Sequence, residues 1–165
     1  MAFIDALLPE FDHEMGTTRR LLERVPDEHL GWKPHDRSMT LGRLATHVAE
    51  IPEWSARVLD HDEMNITGSY QPRQGQSQSA ILAVFDAASA EARKKLATKT
   101  DGELLAPWSF KRDGKTLFTM PKAAVIRSMV LNHLIHHRGQ LSVYLRLKNV
   151  PLPPMYGPTA DEGKL

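Results

Sequence analysis

The chain has 165 residues, a length that fits one domain, with 41% hydrophobic and 25% charged residues. Lys+Arg 21 against Asp+Glu 20 leaves a formal net charge of +1, so charge gives no reason to invoke a nucleic acid or an anionic membrane. Cysteine is absent, which excludes disulfides, thiolate nucleophiles, Fe–S clusters and zinc fingers, while histidine occurs eight times.

The N-terminal segment Met1-Ala-Phe-Ile-Asp5 lacks a basic flank, and Asp5 breaks its apolar stretch, so it does not read as a signal peptide. No apolar run approaches the ~20 residues of a membrane helix. The expected location is cytoplasmic. Ile4, Leu8, Phe11, Met15, Thr18 and Leu22 recur at alternating intervals of four and three, one face of a first helix that Pro26 ends. Pro9 either begins its regular part or kinks its first turn. The stretch Trp32 to Asp36 reads as a loop.

Thr40 is placed to cap a second helix running to about Asp60, with Leu41, Leu44, Val48, Ile51, Trp54 and Val58 inward. Pro52 lies inside it and predicts a bend or a lost backbone bond. Gly68 to Gln78 reads as a long crossover loop. Ser77 or Ser79 caps a third helix ending near Thr98, with Ile81, Phe85, Ala88, Ala92 and Leu96 inward.

Asp113-Gly114 predicts a tight primed turn between two short strands, Trp108 to Arg112 and Lys115 to Phe118. Pro121 opens a fourth helix to about Asn149. The Pro-rich tail 151–158 lies extended. The expected architecture is an all-α four-helix bundle with a small β-hairpin before the last helix, one domain over residues 1–165.

The chemistry concentrates in Asn132-His-Leu-Ile-His-His-Arg-Gly-Gln140. His133 and His137 stand four apart and share the face of Ile126, Val130, Leu141 and Tyr144. Two imidazoles on an apolar face suit a shared metal better than a dry core. His136 falls on the more polar face of Met129, Asn132 and Gln140, although His133/His136 is a rival pair. His47 borders the apolar face of the second helix and is the candidate third ligand. A lone histidine there is more often a satisfied core residue.

Leu134 stands where an HExxH motif needs its glutamate, which excludes the zincin pattern. No Asp or Glu occurs from Gly114 to Ala160, which excludes a carboxylate-bridged di-iron site on the fourth helix. What remains is a mononuclear site of three neutral histidines. Zinc, nickel or ferrous iron accepts such a set. An open fourth position can hold water, whose pKa falls from 15.7 to about 7 on a suitable zinc site, or can bind a thiol substrate.

Leu44-Ala-Thr-His-Val-Ala-Glu50, the Asn132 to Leu141 string, the loop Trp32-Lys-Pro-His-Asp-Arg-Ser-Met39 and the ending Pro153-Pro-Met-Tyr-Gly157 together resemble the DinB superfamily of DinB/YfiT-like metalloenzymes. The resemblance covers nearly the whole chain. It implies an up-down-down-up order of the four helices and metal ligation by His47, His133 and His137. It also implies nickel or zinc, a homodimer, and a link to stress response. Some members are S-transferases that use a low-molecular-weight thiol. The small-molecule substrate is therefore either hydrolysed by activated water or coupled to such a thiol. A metal-stabilised binding module without turnover is the alternative.

Other residues take candidate roles. Glu50, three residues after His47, is a candidate acid or base at the metal; a solvated helix carboxylate is its commoner fate. Arg138 either holds an anionic substrate group or is a surface charge. Gly139 costs roughly 1 kcal/mol in a helix interior, which a close helix crossing or space beside His137 would justify. Trp54, Trp108 and Tyr156 read as packing residues.

Overall fold

The computed structural model describes residues 2–69 and 72–163. Its helices are α1 (Phe3–Leu22), α2 (Leu41–Glu50), α3 (Pro52–Asp60), α4 (Gln78–Leu96), α5 (Asp101–Leu105), α6 (Lys122–Val125) and α7 (His133–Leu147). A π-helical segment, Ile126–Asn132, joins α6 to α7. Strands β1 (Glu63–Ile66), β2 (Pro107–Arg112) and β3 (Lys115–Pro121) form one sheet in that order. The chain is thus mostly helical with a three-stranded sheet. No helix among the described residues is long and apolar enough to cross a membrane.

The expected second helix is two. Pro52 cannot donate a backbone bond, so α2 ends at Glu50 and α3 restarts with the proline in its first turn, while Ile51 between them keeps helical angles. Thr40 caps α2 by accepting the Arg43 N–H at 3.1 Å, and Ser77 caps α4 by accepting from Ala80 at 3.1 Å. Pro9 is carried inside α1 without a break. The core is Leu, Phe, Val and Ile from α1, α2, α4 and α7, with Phe11, Leu44, Phe85 and Leu141 almost fully buried.

The hairpin turns at Asp113 and Gly114, both with positive φ, as a primed turn demands. Trp108, Phe110 and Phe118 stack across it and seat it on the helices. The expected hairpin is only two-thirds of the sheet. β1 pairs parallel with β2, from Glu63 opposite Ser109 to Ile66 opposite Arg112. The crossover loop therefore starts after a strand that the sequence reading missed. Its far end is pinned at Gly75, whose N–H donates to Thr46 Oγ1 at 2.8 Å. A Cβ at Gly75 would lie 2.5 Å from Ile81 and 2.8 Å from that hydroxyl, so only glycine fits.

Gly139 is different. A Cβ there would meet nothing within 4 Å, so neither a helix crossing nor crowding at His137 accounts for it. Nothing in the structure explains this glycine.

Candidate metal centre

Three histidines from two helices converge. His47 sits on α2 between the buried Leu44 and Val48, while His133 and His137 sit one turn apart at the start of α7. One ring nitrogen from each lies within 4.8 Å of the other two, and no other cluster of this kind occurs among the described residues. His47 Nε2 and His133 Nε2 are 3.2 Å apart. Nitrogens at opposite corners of a tetrahedral zinc site with bonds of 2.0–2.1 Å lie about 3.3 Å apart, so this spacing fits a shared ion. The ring centroids are 4.6–5.0 Å from one another.

The histidines are half-buried, and burial is the main influence on their acidity. It holds His47 down to about 4, helped by His137, His133 and Arg43. Burial lowers His133 too, against the opposing bond to the Met129 carbonyl. His137 is lowered by burial and partly restored by Gln140. All three rings are consequently neutral near pH 7, the form that ligates metals.

This has a pH consequence for the metal-free protein. The unfolded chain protonates His47 near 6.5, whereas the folded chain resists until about 4. Its contribution is complete above pH 6.5 and is lost as pH falls toward 4. Glu50, raised by burial, acts with the opposite sign in its own range. The Tm of metal-free protein is expected to fall across pH 6.5–4, and His47→Ala to flatten that slope. Equal slopes in the two proteins would refute the assignment.

Beside the triad opens a cleft of about 720 Å³, lined by His47 and His133 and walled by Trp54, Met64 and Ile66. Strand β1 supplies the last two, and Trp54, expected as packing, belongs to this wall. Along the cleft runs an alternating chain of charges. Arg43 approaches Glu50 at 3.4 Å, Arg73 approaches Glu50 at 3.6 Å and Glu53 at 2.6 Å, and Arg57 lies 3.7 Å from Glu53. Glu50 is 7% exposed, so it is no solvated helix carboxylate. Its acidity is weakened by burial and partly restored by Arg43 and Arg73.

Arg138 also differs from both of its sequence readings. It is 1% exposed and points away from the cleft's lining, to α1 and the tail. Its guanidinium pairs with the buried Glu14 at 2.7 Å. It also donates to Thr18 Oγ1 at 3.0 Å, to the Glu14 carbonyl at 3.2 Å and to the Tyr156 hydroxyl. Tyr156 in turn donates to Glu14, with oxygens 2.9 and 3.0 Å away. Tyr156 is thus a polar tether for the tail, with its ring largely exposed, while Trp108 is fully buried as expected. His136 is exposed, its ring 4.9 Å from that of His137. Gln140, which the sequence places on the more polar face with His136, brings its Oε1 to 2.7 Å from His137 Nδ1.

Fold and site together define a class: a mostly helical protein whose three clustered histidines can hold a metal ion. The chain belongs to the DinB family, whose model matches residues 2–164. It is 25% identical over 162 residues to the uncharacterized protein YrdA of Bacillus subtilis (strain 168), an alignment covering 96% of this chain and 91% of that protein. Two solved structures share the fold. A DinB-like protein from Bacillus cereus ATCC 10987 aligns with a TM-score of 0.69 and 21% identity, over 90% of this chain and 95% of its own. The DinB-like protein YjoA of Bacillus subtilis aligns with a TM-score of 0.70 and 21% identity, over 90% and 96%.

Proposed function

We propose that this chain is a metal-dependent enzyme acting on a small molecule bound in the cleft beside His47, His133 and His137. The observation that carries the reading is the convergence of three neutral imidazoles next to an open cleft of about 720 Å³. The three histidines would hold a divalent ion, nickel or zinc first and ferrous iron third. When bound, such an ion supplies Lewis acidity, which makes water or a low-molecular-weight thiol a nucleophile at neutral pH. The protein has no thiol of its own to compete for that role.

The chain's own groups do the rest. Trp54, Met64 and Ile66 hold the apolar part of the substrate and exclude water from it. Glu50 lines the same cleft, and its weakened acidity suits it to take and return a proton. With this reading go an up-down-down-up bundle, a homodimer, a cytoplasmic location and a role in stress response.

One observation favours a second reading. Glu50 is already engaged by Arg43 and Arg73, an arrangement that also suits a metal-stabilised binding module without turnover. Metal-loaded protein assayed on ester substrates and on electrophiles, with and without added thiol, separates the two. Hydrolysis proceeds without thiol, and transfer requires it. Glu50→Gln is expected to lower turnover about 10²–10⁴-fold with metal content unchanged. Ligand-induced Tm shifts without turnover on any panel would establish the binding module instead.

A further inference from the structure

The two triad histidines on α7, His133 and His137, each use one ring nitrogen along their own helix. His137 Nδ1 lies 2.7 Å from Gln140 Oε1, one turn on. His133 Nδ1 lies 3.2 Å from the Met129 carbonyl, one turn back. That carbonyl belongs to the π-helical segment. The His133 backbone N–H, its ordinary α-helical partner, donates to the Val130 carbonyl instead. The His133 imidazole, not its backbone N–H, meets the Met129 oxygen.

A carbonyl and an amide oxygen only accept hydrogen bonds, so each fixes its imidazole with the proton on Nδ1. The lone pair then sits on Nε2, and for His133 that atom is the one facing His47. We propose that Gln140 and the Met129 carbonyl are positioning groups for the metal centre. They set the tautomer and aim of His137 and His133 before any ion arrives. The inference rests on the metal-binding reading above, and it adds Gln140 as a residue the ligand set depends on.

Gln140 is the testable member, because it is exposed and its amide oxygen meets His137 from one turn away. Gln140→Leu removes the acceptor. Gln140→Glu retains one, and a carboxylate can only accept. Zinc affinity is measured by competition with a chromophoric chelator, and the His137 tautomer by ¹⁵N NMR of the metal-free protein at neutral pH. The expected result is a 10–100-fold loss of affinity in Gln140→Leu, restoration in Gln140→Glu, and an Nδ1–H tautomer at His137 in wild type. Wild-type affinity in Gln140→Leu, equal loss in both variants, or an Nε2–H tautomer would each overturn it. If wild-type protein binds no metal, the function proposed above fails, and the NMR result alone then decides this inference.

Discussion

Metal-free protein titrated with zinc or nickel is expected to bind one ion per chain and to gain stability. At a free metal concentration one hundred times Kd, the gain is about 2.7 kcal/mol. For a chain of this size that corresponds to a Tm rise on the order of 5–10 °C. His47→Ala, His133→Ala and His137→Ala each remove one nitrogen from a set whose members lie within 4.8 Å of one another, and each is expected to abolish stoichiometric binding. His136→Ala is the control. Its ring touches that of His137 but belongs to no cluster, so metal content is expected to stay at the wild-type level. Elemental analysis of tag-free protein reads out all five proteins. Loss of metal in His136→Ala with retention in His137→Ala would move the site to the rival pair.

The second large effect concerns stability alone. Glu14 and Arg138 are both almost fully buried and face each other at 2.7 Å. Removing either partner leaves a charge inside the protein without its counterion. Glu14→Leu or Arg138→Met is therefore expected to cost about 3–5 kcal/mol. The double variant is expected to be less destabilised than either single one, because no buried charge then remains. Urea unfolding of the four proteins gives the coupling energy directly. Additive losses would show that the pair does not act as a unit.

Much of this molecule follows from spacing, and what does not has identifiable physical reasons. The apolar periods of α1 and α4 and the caps at Thr40 and Ser77 are local signals, so the elements lie where those signals put them. The same holds for His133 and His137, four apart on one helical face. Strand β1 could not be read this way. Four residues of exposed and half-buried alternation are too short a pattern, and the partner strand is far along the chain. The π segment left no mark in a continuous helical pattern.

Burial of charge was equally hidden. Nothing adjacent to Arg138 announces Glu14 or Tyr156, which come from opposite ends of the chain. Glu50 looks like any helix carboxylate until the Gly75-anchored loop brings Arg73 to it. Sequence spacing finds side chains on one helix face; it does not find what packs over them.

The parallel pairing of β1 with β2 also carries an entropic cost. The helices and the β2–β3 hairpin make contacts between near neighbours, which form within microseconds. Glu63 meets Ser109 only after the whole of α4 and α5 has been looped out, and the closure entropy of that loop must be overcome first. Met64 and Ile66 join the Trp54 wall on the same step. The wall of the pocket thus depends on a pairing between distant parts of the chain. A small molecule lodged there would act as a clasp between β1 and α3, touching Met64 and Ile66 on one side and Trp54 on the other.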